Sequence, residues 1–244
     1  MKIFGILNVT PDSFSDGGEF ITQNNAIKHA KELCKKCYAL DIGSQSTRPN
    51  APVISYKKEI HRLGNIISEV SKFANTSIDS YHFETQNFAL TQGVSFINDV
   101  SSFQDTRIFH DYPKKVKFIF MHSLTIPTQK SVVMQSHKMD MVNEIKHWAK
   151  QKIAILTSYG APRESFILDI GIGFGKTAEQ SLYLIEHIEE FLDIGIKIMV
   201  GHSRKSFMEI IKDNSTTAER DNITREITKE LERKGVHYVR VHKP

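Results

Sequence analysis

Short runs of β-branched and aromatic residues recur along the chain, each closed by a polar residue and followed by apolar positions at helical spacing. The first four are Ile3–Leu7 closed by Asn8, Tyr38–Leu40 by Asp41, Thr76–Ile78 by Asp79, and Val94–Ile97 by Asn98. The next are Lys117–Met121 closed by His122 and Phe166–Leu168 closed by Asp169. The last are Ile196–Val200, ending near His202, and His237–Val239, ending at Arg240 and His242. Strand alternating with helix predicts a parallel sheet, and eight such units predict a (β/α)8 TIM barrel. Chemistry in such barrels sits at the carboxyl ends of the strands, so the closing polar residues are expected around one mouth.

The helical stretches carry ordinary packing stripes. A second helix opens at Ser55 with Tyr56, Ile60, Leu63, Ile67 and Val70 on its apolar face. A later one carries Met141, Ile145, Trp148 and Ile153 and ends at Gly160 and Pro162. Another runs through Leu182, Ile185, Ile188 and Leu192 to Gly195, and the last through Ile223, Ile227 and Leu231 to Gly235. Cys34 and Cys37 form C-x-x-C, but Ala26, Ala30, Leu33 and Cys37 recur at helical spacing with Ile27 and Cys34 beside them. Both thiols are therefore expected on the buried stripe of the first helix, as structural residues. A zinc site needs a second ligand pair, which the sequence does not offer.

A length of 244 residues suits one barrel domain spanning 1–244, since such barrels take about 250 residues. There is no linker, low-complexity tract or repeat beyond the strand–helix rhythm. No apolar run reaches transmembrane length, and Lys2 stands directly before the first strand, so a cytoplasmic protein without membrane partners is expected. The net charge is +4 with the lysines scattered, which argues against a nucleic-acid stripe and suits an acidic small substrate. The sequence stops at Pro244, straight after the eighth strand, so the barrel is expected to lack its final C-terminal helix.

Candidate chemistry concentrates in the segments that follow strands. Asn8–Gly18 is rich in Pro, Ser, Asp and Gly and reads as a loop, with Phe14 placed to close over a ligand as part of a lid. Gly43–Pro49 is a second such loop, where Arg48 suits a carboxylate or an aromatic amine. Asp79, Asn98 and Asp169 could be metal ligands, proton-transfer groups or acceptors for a nitrogen-rich heterocycle, with Lys205 completing a polar ring. Gly171–Thr177 fails as a phosphate loop because Ile170 stands where a glycine is required, and Lys176 likewise breaks the dinucleotide fingerprint. Its glycines suit close backbone approach to a flat ligand, with Phe174 at the edge. After the seventh strand comes His202-Ser203-Arg204-Lys205-Ser206, and Arg240 and His242 lie two apart on the eighth. Loops after strands 7 and 8 commonly hold phosphate, and these are suitable donors. The alternative for Arg240 is a buried ion-pair network with Asp41 or Asp169.

Taken together, GILNVTPDSFSDGG, STRP, SIDS, IND, DIGIGFGK, GHSRKSF and RVH resemble the dihydropteroate synthases, the folate-pathway enzymes inhibited by sulfonamides, over nearly the whole chain. The resemblance implies a barrel that joins 7,8-dihydropterin-6-ylmethyl diphosphate to 4-aminobenzoate and releases diphosphate. It implies a pterin grip by Asp79, Asn98, Asp169 and Lys205, with Met121 among the substrate contacts. It implies diphosphate contacts from Asn8, Arg240 and His242, with Mg²⁺ bridging Asn8 and the phosphates. Thr47, Arg48, Pro49, Phe174 and Ser206 are implied to line the 4-aminobenzoate pocket, under a lid holding Phe14 and Asp16. The residues implied to act in catalysis are Asp79, Lys205, Arg240, His242 and Asp16. No nucleophile with its own base stands out, so catalysis is expected to be positional and electrostatic. The partners implied are two small substrates and a possible homodimer. Departures from the family pattern are Ile170 for a proline, Ser44 and Asn50 for glycines, and Lys243 for an aspartate. The rival readings are a pterin-dependent methyltransferase, a non-catalytic pterin-binding paralogue and, more distantly, a metal-dependent aldolase.

Overall fold

The computed structural model of the chain describes residues 1–10, 19–45, 52–129 and 131–244, with the side chains of 19–22 left aside. Eight parallel strands close into a barrel in sequence order. They are β1 Lys2–Asn8, β2 Ala39–Gly43, β3 Asn75–Asp79, β4 Phe96–Asp99, β5 Lys117–Met121, β6 Phe166–Asp169, β7 Lys197–Val200 and β8 Tyr238–Val241. β8 pairs with β1, Lys2 opposite Tyr238 and Phe4 opposite Arg240, so the sheet has no free edge. Every expected strand forms, with ends shifted by at most three residues.

Strands buried on both faces read as continuous apolar runs, and period two sorts them. Phe4, Ala39, Phe96, Ile119, Ile167 and Met199 point into the barrel, with Tyr238 packed against them. Phe4 lies edge-on to Phe96 at 4.9 Å and to Tyr238 at 5.6 Å. The alternate residues, such as Leu40, Ile78, Phe118 and Leu168, join the larger core between sheet and helices. Two residues further along each strand the inner face changes character, to Asp41, Asp79, Asn98, Met121, Asp169 and Arg240. That step is what places the site.

The helices are α1 Glu19–Leu33, α2 Tyr56–Leu63, α3 Ile66–Ser71, α4 Phe83–Thr91, α5 Lys138–Ser158, α6 Ala178–Glu186, α7 Met208–Ile211 and α8 Thr217–Arg233. Ser55 caps α2 as expected, its side chain accepting from the Lys58 N–H. The single helix expected from Ser55 to Val70 is two, because Gly64 adopts φ +48 and breaks it. The helix expected through Leu192 is α6 followed by a 3-10 stretch, Ile188–Ile194, closed by Gly195 in the left-handed region. Thr177 with Gln180 and Thr216 with Glu219 form capping boxes that start α6 and α8.

The cysteines need a correction. α1 ends at Leu33, so Cys34 and Cys37 lie in the turn beyond it, half-buried and free rather than on a buried helical stripe. Both still pack against the core. Cys37 Sγ is 2.6 Å from where a Cβ on Gly5 would stand, so the thiol fills the space that glycine leaves. They border a cleft of about 440 Å³ with Tyr38, Ser71, Phe73 and Asn75, at the amino ends of β2 and β3 and away from the mouth. β8 is followed by His242, Lys243 and Pro244. Among the described residues no helix is long and apolar enough to cross a membrane.

Candidate active site

The floor of the mouth is one guanidinium shared by two carboxylates. Arg240 Nε donates to Asp41 Oδ2 at 2.5 Å, and Nη2 donates to Asp79 Oδ2 at 2.5 Å. Asn98 Nδ2 donates to the same Asp41 oxygen at 3.0 Å. Asp41 is fully buried, and its other oxygen, Oδ1, has no partner among the described residues. A buried carboxylate needs donors, and a single cation between two of them compensates only one charge. Burial, with Asp41 nearby, outweighs the pull of Arg240 and pushes the Asp79 carboxyl up to about 7. Arg240 is raised as well, held protonated by both carboxylates against the cost of its burial. Its two hydrogen bonds leave from Nε and Nη2.

Asp169 forms the adjacent wall. Its Oδ1 accepts from the Gly171 N–H at 2.8 Å, and a Cβ on Gly201 would come within 3.3 Å of Oδ2. Burial raises the Asp169 carboxyl, opposed by the Gly171 hydrogen bond and by Lys205, Arg240 and Lys176. Lys205 Nζ lies 4.1 Å from the centre of the Phe174 ring, a cation over an aromatic face. One cavity is lined by Asp79, Asn98, Met121, Asp169, Phe174, Lys205 and Arg240, with Val100, Ile172 and Gly201 completing the walls.

The turn after β7 divides its side chains between two directions. Lys205 enters the cavity. His202 is fully buried and turns outward to α8, its Nε2 3.1 Å from Thr224 O and 3.0 Å from Thr228 Oγ1. Arg204 sits at φ +58, unusual without a glycine, and pairs in a fork with Asp221 at 2.7 and 3.0 Å. His202, expected near the mouth, and its neighbour Arg204 thus act as straps between the turn and α8. Ser206 is exposed and outside the cavity lining.

Seven of the residues singled out from the sequence meet as expected: Asp79, Asn98, Met121, Asp169, Phe174, Lys205 and Arg240. Arg240 nevertheless takes the alternative of an ion-pair network, with Asp41 as foreseen and with Asp79 in place of Asp169. Arg240 and His242, expected two apart on the eighth strand as diphosphate contacts, have different partners. His242 lies just past β8, its Nδ1 3.1 Å from Ser203 Oγ and its backbone N–H donating to the same oxygen. This serine–histidine contact was not foreseen. Asn8 closes β1, half-buried. Phe14, Asp16, Thr47, Arg48, Pro49 and Asn50 lie outside the described residues. Ser44 is described and does not have positive φ, so the serine there strains nothing. Ile170, where the family uses proline, is buried in the core. The site residues missed in the sequence are Ser203 and Lys176. No local signal gives Ser203 a partner 39 residues away.

Over residues 4–242 the chain matches the model of the pterin binding enzymes. A dihydropteroate synthase of a Synechocystis strain is 37% identical over 224 residues, covering 89% of this chain and 76% of that protein. The crystal structure of dihydropteroate synthase from Anaplasma phagocytophilum with bound 6-hydroxymethylpterin-monophosphate is similar with a TM-score of 0.90 and 31% identity, over 100% of this chain and 93% of that one. Xanthomonas albilineans dihydropteroate synthase with 4-aminobenzoic acid gives 0.88 and 27%, over 99% and 87%. Barrel and mouth thus define a pterin-binding enzyme. Within that class the chain belongs to the dihydropteroate synthase family, transferases of folate biosynthesis.

Proposed function

We propose that this chain condenses 7,8-dihydropterin-6-ylmethyl diphosphate with 4-aminobenzoate and releases diphosphate. The observation that carries the reading is the meeting of three acceptor groups and two cations in one cavity: Asp79, Asn98, Asp169, Lys205 and Arg240. A flat ring with several N–H donors satisfies buried carboxylates that otherwise pay for their desolvation. The 6-hydroxymethylpterin-monophosphate of the Anaplasma relative supports a ring with an anionic arm, and the 4-aminobenzoic acid of the Xanthomonas relative supports the amine partner.

The bond broken is C–O between the pterin methylene and diphosphate, and the bond formed is C–N to the amine, whose proton leaves to solvent. No protein nucleophile is needed. The Arg240 Nη1 end and the Lys205 ammonium take up charge developing on the leaving oxygen, in place before the reaction starts. Asp79 and Asp169 hold the ring and stabilise positive character spreading into it from the methylene. Thr47, Arg48, Pro49 and Ser206 are assigned to the 4-aminobenzoate and Phe14 and Asp16 to the covering loop by family likeness. His242 is assigned to diphosphate on the same ground.

Mg²⁺ is part of the proposal. Among the described residues no three His, Cys, Asp or Glu side chains converge to hold a metal. Mg²⁺ often takes one or two protein oxygens and completes its shell with substrate phosphates and water, which fits a lone Asn8 at the mouth. When bound, the ion supplies positive charge against the diphosphate. A cytoplasmic location fits the two free thiols, and a homodimer is proposed from family likeness, with light scattering at twice 27.9 kDa as its check.

The test is diphosphate release from the pterin diphosphate, with and without 4-aminobenzoate and Mg²⁺. Release that requires the amine and rises with Mg²⁺ is expected. Binding of the pterin diphosphate without any release would instead establish the non-catalytic paralogue.

A further inference from the structure

The lysine of the glycine-rich turn Gly171–Thr177 is buried rather than solvated, with 7% of its surface exposed. Its Nζ lies 2.9 Å from Gly171 O, 3.1 Å from Phe174 O, 3.3 Å from His122 O and 3.0 Å from His122 Nδ1. Among the described residues no carboxylate forms an ion pair with it. An ammonium removed from water without a counter-ion is expensive, so its surroundings must use the charge. Four acceptors around one ammonium form a cage that ties the turn after β6 to the end of β5. The turn is shaped to allow this: Gly171 stands at φ +70, and a Cβ there would lie 1.9 Å from His122 O. His122 fits as an acceptor, because burial pushes its imidazole down to about 3 and keeps it neutral. Its ring is edge-on to Trp148 at 4.8 Å.

Lys176 does not line the cavity, but of the residues it grips Phe174 does, and Gly171 and His122 are each next in sequence to a lining residue, Ile172 and Met121. The Gly171 N–H orients Asp169 Oδ1, and the Phe174 ring faces Lys205. We propose that Lys176 is a positioning residue for the pterin: caged behind the wall, it fixes the turn that orients Asp169 and supplies positive charge to that carboxylate without touching substrate. The proposal rests on the pterin reading of the cavity.

The charged groups facing Lys176 are Asp169 from β6 and Lys205 from the turn after β7, with neutral His122 from the end of β5. Burial pushes the Lys176 ammonium down to about 7, against the pull of Asp169. Its charge is therefore present below that pH and lost above it, and its support of Asp169 should follow the same course.

The experiment is titration of 6-hydroxymethylpterin into the wild-type chain, Lys176→Met and Lys176→Gln, at about pH 6 and about pH 9, with thermal unfolding recorded for each. Because the ligand titrates identically in all three, the variant-to-wild-type ratio of Kd isolates the protein. Near pH 6 the Met variant is expected to bind at least about tenfold more weakly, a modest demand on a nearby charge at an effective dielectric of ~20. Near pH 9 the ratio should narrow to about threefold or less. Gln, which keeps hydrogen-bond donors without the charge, should also be weak at low pH. If Met does not fold, Gln carries the test. A wild-type Kd in the variants, or a ratio that is the same at both pH values, overturns the proposal. Failure of the wild-type chain to bind the pterin would overturn the reading of the cavity instead.

Discussion

The two ends of the barrel interior lie two residues apart on the same strands and are built on opposite principles. At the amino end Phe4, Phe96, Ile119, Ile167 and Met199, with Tyr238, form an apolar plug. At the carboxyl end Asn98, Met121, Asp169 and Arg240, with Asp41 and Asp79, form a polar floor. The plug is stable whatever occupies the other end, because close-packed rings need no partner beyond one another. The floor is compensated only in part: two carboxylates share Arg240, and Asp41 Oδ1 has no partner among the described residues. A scaffold that stores its stability below can hold an unfinished polar constellation above, for a ligand to complete.

The sharpest way to break this contrast is Arg240→Ala, which leaves Asp41 and Asp79 uncompensated. Losing one member of a buried ion network costs about 3–5 kcal/mol. Activity, measured as kcat/KM for diphosphate release, should fall at least about a hundredfold. Phe4→Ala in the plug should cost about 3–4 kcal/mol in urea unfolding yet leave kcat/KM within about threefold. If activity falls in step with stability there, the two ends are not separable. Lys205→Ala should give the converse, a loss of at least about a hundredfold in kcat/KM, or ~2.7 kcal/mol of barrier, with little change in the unfolding midpoint.

A smaller effect concerns acid. Burial pushes His202 down to about 4 and His122 to about 3, from an ordinary 6.5. The unfolded chain therefore binds more protons than the folded one once the pH is below 6.5, and the stability these rings provide is lost as pH falls toward 4. Asp79, raised to about 7, and the raised Asp169 work in the opposite direction over the same window, so the check is a difference: between pH 7 and 4.5 the urea midpoint of the wild type should fall relative to that of His202→Gln. Smallest of all is Ser203→Ala, which removes the hydroxyl that meets His242. A loss of about 1 kcal/mol, or roughly fivefold in kcat/KM, is expected.

Much of the fold was legible because it rests on local periodicity. The eight apolar runs and their polar terminators are written in consecutive residues, so Asp79, Asn98 and Asp169 could be placed at one mouth before any coordinates. Gly64 was harder: a glycine within a good apolar stripe does not announce a positive φ, and two helices read as one. Cys34 and Cys37 were misplaced for a related reason, since helical spacing continues past Leu33 although the helix does not. Proximity in sequence sets His202 and Arg204 beside the site, but each turns to α8, where Thr224, Thr228 and Asp221 offer partners.

The sequence by itself determined the barrel, the end of it that carries chemistry, and the family, because period two, strand–helix alternation and the loop motifs are properties of neighbouring residues. Which acceptors Arg240 would share, where His242 would rest and why Lys176 is buried were decided only by closure of the sheet. Asp41 lies 199 residues from Arg240 in the chain, and His122 lies 54 from Lys176. Their distances are set by strand stagger and turn shape, and the free energy of a buried charge depends on those distances rather than on order along the chain.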